Sequence, residues 1–258
     1  MTQGFPRTTW RAVAASLALI ALAGCGSHVL PTIHSERERL TLARERHDAG
    51  DCVVAIELLK NFVLNAAGTA QVDEAIYLLG DCYLRTREWA LAAGEFERLL
   101  RDYPESDSSA AASFALGAAF YGQAGKADFD QEFTVKALDQ WRAYLRDHPG
   151  DWRNAAAEKR VMEARTRLCT KLLRTGNLYL KLRLWEPARV YFLKITNEYA
   201  DTSVDPEAQL GLALCDVGRG RRAEAVEQLR QIESQFAGQE IAARAAQTRK
   251  RLERKSRS

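Results

Sequence analysis

The sequence predicts an all-α solenoid of about five stacked helix–turn–helix repeats, and three observations carry that prediction. Between Asp73 and Pro104, small and aromatic residues fall at the offsets of one helical hairpin: Ile76, Leu79, Gly80, Tyr83, Ala92, Phe96 and Pro104. The same spacing returns on both sides, so the chain has an internal period. No segment alternates apolar and polar residues with β-branched enrichment, so no strand is expected.

The offsets are those of the 34-residue tetratricopeptide (TPR) unit, with Ile76 in place of the usual opening aromatic residue. Gly80 and Ala92 let the two helices approach closely, while Leu79, Tyr83 and Phe96 fill the space beside them. One hairpin cannot bury its apolar face alone, so neighbours are required. Repeat one, from about Glu36 to Thr69, carries Ala43, Gly50, Ala55, Leu59 and Phe62, with its turn at Gly50-Asp51. Repeat three opens with Leu116, Gly117 and Phe120. Its second helix (Ala137, Trp141, Tyr144, then Pro149) comes eight residues late, which predicts an insertion around Gly122 to Asp130. Asp151 is an expected N-cap, and Val161, Met162, Arg165, Leu168, Leu172 and Leu173 follow at spacings of three and four, predicting one long helix to about Leu182. Repeat four has Tyr179, Trp185, Ala188, Phe192, Ile195 and Tyr199. Repeat five has Gly211, Ala225, Leu229, Ile232 and Phe236, with Gly218 and Gly220 competing for its turn. The expected division is thus residues 36–150 for repeats one to three, 151–243 for the long helix and repeats four and five, and 244–258 for a basic tail.

The chain of 258 residues has 37 basic and 34 acidic side chains. Loss of a leader containing Arg7 and Arg11 leaves 35 against 34, a balance of +1 that gives no reason to expect nucleic acid. From Arg244 to Ser258 there are seven basic residues and one acid, leaving the rest of the mature chain at −5. Two readings fit that tail: a solvated helix end whose cations suit the helix dipole, or a contact for anionic lipid or an acidic partner.

The leader itself has a basic start, an apolar run from Ala12 to Ala23 broken only by Ser16, and a small-residue close, the pattern of a secretory signal over residues 1–24. Leu22-Ala23-Gly24-Cys25 is similar to the lipobox of bacterial lipoproteins. That likeness implies acylation of Cys25 by N-acyl and S-diacylglycerol groups as the protein's lipid attachment, and Gly26 implies sorting to the outer membrane. Residues 25–35 would form a tether, spanning up to roughly 35 Å when extended. An ordinary signal-peptidase site is the alternative. Cys52, Cys82, Cys169 and Cys215 fall in separate helical segments and read as small buried hydrophobes, with Cys52–Cys82 the one pairing worth testing.

Catalytic signatures are missing. Gly125-Lys126 lacks the upstream glycine of a phosphate loop, His28, His34, His47 and His148 are scattered, and neither a nucleophile elbow nor a metal spacing occurs. Asp128 and Asp130 are compatible with a cation site but are more simply helix caps. No enzyme activity, cofactor or metal is expected.

Asp130-Gln131-Glu132-Phe133-Thr134-Val135-Lys136-Ala137, followed by Trp141, Tyr144 and His148-Pro149, resembles a stretch in the third repeat of the BamD family of outer-membrane assembly lipoproteins. Gly176-Asn177-Leu178-Tyr179-Leu180-Lys181, Trp185, Ala188 and Glu198-Tyr199-Ala200-Asp201-Thr202 are similar to its fourth. The likeness spans essentially the whole mature chain; Ala200 replaces a proline, and Val204-Asp205-Pro206-Glu207 adds one. It implies a periplasm-facing, lipid-anchored outer-membrane scaffold of the β-barrel assembly (BAM) complex. Such a scaffold would hold the POTRA domains of BamA through its C-terminal repeats and receive unfolded outer-membrane β-barrel proteins through its N-terminal ones. It would also stand beside other Bam lipoproteins at the inner leaflet of the outer membrane. The alternative is a TPR lipoprotein adaptor for peptidoglycan synthesis or polysaccharide export.

In a stacked array, the first helix of each hairpin lines a concave face. The expected peptide-binding groove consists of Leu40, Arg44 and His47 from repeat one, Tyr77, Leu84 and Arg85 from repeat two, and Phe114 and Tyr121 from repeat three. Barrel clients, as the resemblance implies, end in an aromatic residue and a free carboxylate. Arg44 or Arg85 is the expected carboxylate clamp, with Tyr77 and Phe114 as floor; the alternative is that these aromatics only pack between hairpins and the arginines are solvated.

Overall fold

A computed structural model describes residues 33–66 and 68–255. The described residues form eleven α-helices: α1 (Glu36–Asp48), α2 (Cys52–Asn65), α3 (Val72–Arg85), α4 (Trp89–Asp102), α5 (Ser109–Gln123), α6 (Glu132–Asp147), α7 (Asn154–Lys181), α8 (Trp185–Glu198), α9 (Asp205–Gly218), α10 (Arg222–Gln235) and α11 (Glu240–Lys255). No strand occurs among them. Each helix packs on its neighbours in sequence, and the first helices of successive hairpins also touch: α1 with α3, α3 with α5, α7 with α9, and α9 with α11. The fold is an all-α TPR-type solenoid.

The hairpins of repeats two, three and four close because a glycine on the first helix (Gly80, Gly117, Gly176) admits an aromatic ring from the second (Phe96, Trp141, Phe192). A Cβ on Gly80 would sit 2.6 Å from Phe96 Cε1, and one on Gly117 would sit 2.4 Å from Trp141 Nε1. Phe96 and Trp141 are fully buried as a result. The helix–helix turns of repeats one, two, four and five share one backbone solution, a left-handed residue before the second helix. Gly50 and Gly220 supply it without strain at φ of 77° and 80°, so Gly220 takes the turn of repeat five, and Gly218 abuts Trp185 instead. In the other two such turns Arg87 and Arg183 hold φ of 63° and 59°, which no sequence pattern announced.

Residues 124–131 connect α5 to α6, and the Asp-Gln-x-x-Thr motif organises them. Gln131, buried, donates through Nε2 to the carbonyls of Lys126, Phe129 and Asp130, and its Oε1 accepts from Thr134 Oγ1 at 2.8 Å. The loop is tied to α7 by Lys171 Nζ donating to Phe129 O (2.9 Å) and by Arg174–Asp128 (2.5 Å). Asp130 accepts from the Glu132 N–H at 3.1 Å, so both acids serve the loop and helix start.

Three sequence expectations change in detail. The long helix begins at Asn154 rather than Asp151, whose carboxylate instead accepts the Arg153 N–H at 2.8 Å. Pro206 sits in the first turn of α9, where a missing N–H costs nothing, so the added proline starts a helix. Arg244 to Lys255 is not a separate tail but most of α11, whose Ile241, Ala245 and Leu252 are buried against repeat five. Three arginines near it are paired: Arg244 with Glu207, Arg249 with Glu233, and Arg230 with Glu253. Cys52, Cys82, Cys169 and Cys215 are all buried free thiols.

Candidate functional site

The insertion in repeat three sets the geometry of the groove. Because α6 is delayed, α5 and α7 do not pack closely, and the array opens between repeats two and four. A cavity of about 340 Å³ lies there, lined by Leu84, Arg85, Trp89, Tyr121, Trp141 and Arg160, with Ala118 and Gly122 on one wall. Gly122 is required at that wall, since a Cβ would sit 2.4 Å from the Trp89 indole. Trp141 donates its Nε1 proton to Phe114 O at 3.1 Å, so the ring presents carbon to the cavity at no hydrogen-bonding cost. Tyr121 leans on Trp141 with ring centroids 5.6 Å apart, and the Arg167 guanidinium lies over the Tyr121 ring at 4.3 Å.

Charge sits at the rim. Arg85 Nε lies 2.7 Å from Asp81 Oδ2, and Arg85 Nη1 donates to His47 O at 3.2 Å. His47 is itself held between Asp81 (Nε2, 2.8 Å) and Asp48 (Nδ1, 3.0 Å). This Asp48–His47–Asp81–Arg85 chain joins the first two repeats and fixes the guanidinium. On the opposite side, Arg160 pairs with Glu163 at 2.8 Å on its own helix. The site is therefore an apolar aromatic slot between two positioned guanidiniums, able to bind but holding no paired nucleophile and base.

Of the eight expected groove residues, the structure brings Leu84, Arg85 and Tyr121 together here, and His47 supports them from behind. Leu40 is not at the surface: at 1% exposure it is core, because its position on α1 faces α2 and α3. Arg44 makes a two-point pair with Glu74, one arm at 2.6 Å, which occupies the fork it would need to clamp a ligand carboxylate. Tyr77 packs on Phe96 (6.1 Å between centroids), and burial pushes its hydroxyl pKa up. Phe114 packs on Tyr144 at 5.6 Å. Both rings thus fill joints between helices instead of flooring the cavity. Trp89, Trp141 and Arg160 were missed. The first two lie on second helices, which a repeat template assigns away from the groove, and Arg160 reaches it because α7 returns across the opening. Cys25 lies outside the described residues. No described helix is long and apolar enough to cross a membrane.

Residues 34–215 match the family model described as YfiO, outer membrane lipoprotein. The chain belongs to the YfiO outer membrane lipoprotein family. Membership links it to outer membrane protein assembly. The chain is also similar to the outer membrane protein assembly factor BamD of Caulobacter vibrioides, at 24% identity over 211 residues, covering 80% of this chain and 68% of that protein. Among solved structures, similar ones include a tetratricopeptide repeat protein from Parabacteroides merdae (19% identity, 84% of this chain and 72% of that one, TM-score 0.38). Another is the TPR domain of P58(IPK) (12% identity, 98% and 71%, TM-score 0.42). For a YfiO-family chain, the groove described above lies within the segment that the family model spans.

Proposed function

We propose that this chain is a lipid-anchored, periplasm-facing scaffold of the β-barrel assembly machinery, attached through acylated Cys25 to the inner leaflet of the outer membrane. Its C-terminal repeats hold POTRA domains of a BamA-type barrel subunit, and its N-terminal repeats receive unfolded outer-membrane β-barrel proteins. It works by docking, without bond-making of its own. Family membership supports the setting. The observation that carries the client-binding part is the aromatic slot between Arg85 and Arg160.

The slot suits the end of an extended chain that finishes in an aromatic residue. A ring fits among Trp89, Tyr121 and Trp141, and offset or edge-on contacts of this kind contribute roughly 0.5–1.5 kcal/mol each beyond area burial. The terminal carboxylate then meets Arg85, whose Nε and Nη1 are engaged with Asp81 and His47 while Nη2 remains for the ligand. Of the two arginines expected as the clamp, Arg85 is the one proposed, because Arg44 is engaged with Glu74, and Trp89, Tyr121 and Trp141 replace Tyr77 and Phe114 as floor.

The test is fluorescence-polarisation binding of a labelled barrel C-terminal peptide to the mature protein. Arg85→Ala and Tyr121→Ala should each weaken binding at least tenfold, and amidation of the peptide's C-terminus should erase the Arg85 effect. Unchanged affinity in both variants removes the proposed slot.

A further inference from the structure

A second cavity, of about 330 Å³, lies between α8, α9 and α10, far along the array from the aromatic slot. Its lining is of another kind: Thr196, Gln209, Gln228, Gln231 and Gln235 surround Asp205, the one ionisable side chain among its lining residues. Asp205 is 5% exposed. One of its oxygens, Oδ2, accepts from Gln209 Nε2 at 2.6 Å, while Oδ1 is buried and has no protein partner. Gln228 Oε1, on the same cavity, is likewise buried and unpartnered.

The orientation of both amides is fixed by chemistry. Gln228 Nε2 donates to Asp216 Oδ2 at 2.9 Å and Gln209 Nε2 donates to Asp205, and a carboxylate only accepts, so each carbamoyl nitrogen must face its acid. Gln228 therefore presents an oxygen, not an N–H, to the cavity. The site holds two buried acceptors whose hydrogen bonds are unmet, one of them a carboxylate. Leaving such groups unpaired is costly, and they persist where something else repays the cost. Desolvation also pushes the Asp205 carboxyl pKa up, the mark of an acid held without a cation beside it.

We propose that this cavity is a binding site for a guanidinium group, the arginine side chain of a partner polypeptide. A guanidinium is flat, carries donors along two edges and is weakly hydrated, so one edge can pair with Asp205 Oδ1 while another N–H reaches Gln228 Oε1. The exposed amides of Gln231 and Gln235 at the mouth can hydrogen-bond the main chain that carries it. An ammonium lacks the fork, and an anion would face two acceptors. The site is independent of the aromatic slot and of what binds there.

The experiment follows the side-chain amide resonances of the 15N-glutamine-labelled mature protein during titration with N-acetyl-arginine amide, N-acetyl-lysine amide and N-acetyl-norleucine amide. The proposal expects saturable shifts at Gln209 and Gln228 with the arginine probe, at least fivefold weaker binding of the lysine probe, and none with norleucine. Asp205→Asn should weaken the arginine probe at least tenfold while leaving the unfolding temperature unchanged or higher. Gln228→Met, which removes the second acceptor and leaves the Asp205 carboxylate in place, should also weaken it. No saturable shift with arginine, equal response to norleucine or lysine, or undiminished binding in both variants would overturn the proposal. If Asp205→Asn fails to fold, the Gln228→Met result decides.

Discussion

Replacing Gly117 by alanine should destabilise the protein, although alanine is the better helix former by about 1 kcal/mol. The added methyl would lie 2.4, 2.6 and 2.7 Å from Trp141 Nε1, Cδ1 and Cε2. Those atoms cannot drift aside, because Trp141 is fully buried and its Nε1–H is committed to Phe114 O. Overpacking of this severity costs about 1–3 kcal/mol, and weakening the indole hydrogen bond adds about 1 kcal/mol. Set against the propensity gain, the net loss is about 1–3 kcal/mol, or about 3–10 °C in unfolding temperature for a chain of this size. Gly94 provides the control: it lies on exposed α4 surface, and a Cβ there meets nothing within 4 Å. Gly94→Ala should therefore raise stability by about 0.5–1 kcal/mol. Thermal and urea unfolding followed by circular dichroism measures both variants. A Gly117→Ala protein as stable as the parent, or a Gly94→Ala protein less stable, would refute the assignment of these glycines to ring contact and open surface.

Other outcomes follow from individual contacts. Asp201 is held below its usual carboxylate range by Arg165, which also donates to Glu198 O, so its contribution is complete above the unfolded carboxyl value and lost as pH falls through the folded one. Asp201→Asn should lower stability at neutral pH by roughly 0.5 kcal/mol, given the pair's partial exposure, and flatten the acid limb of a stability–pH curve. Asp205 is the opposite case: its raised pKa means that the cost of its charge is complete above the folded value and is relieved as pH falls toward the unfolded one, so Asp205→Asn should abolish that gain in acid. Burial pushes up the thiol pKa of Cys82 and Cys169, and that of Cys215 to about 11. A disulfide-exchange reagent at pH 8 should therefore label these three only at the rate of unfolding, and rapid labelling would contradict their burial. Arg87→Gly should match or exceed the parent's stability, because it removes a left-handed non-glycine residue from the α3–α4 turn.

The repeat architecture was legible because its signals are local. A glycine paired with an aromatic ring one helix later, as in Gly80–Phe96 and Gly117–Trp141, states a close approach without any knowledge of distant contacts. The loop motif was legible as a pattern, but its cause, three carbonyls gathered by one buried Gln131 amide, appears only in three dimensions. Template offsets correctly brought Leu84, Arg85 and Tyr121 to one face yet misplaced Leu40, since an offset names a direction and not how deeply the neighbouring helix covers it. Nor does an offset reveal that Arg44 is already satisfied by Glu74, thirty residues away. Trp89 and Arg160 became groove residues only through the opening that the delayed α6 creates, a consequence of tertiary spacing that no single repeat encodes.

The most direct test of the scaffold account is to purify the tagged, full-length protein from membranes in mild detergent and identify by mass spectrometry what accompanies it. The account predicts recovery of a large β-barrel subunit bearing POTRA domains, together with an acylated N-terminal peptide beginning at Cys25. Recovery of cell-wall synthases alone, with no barrel subunit, would contradict it.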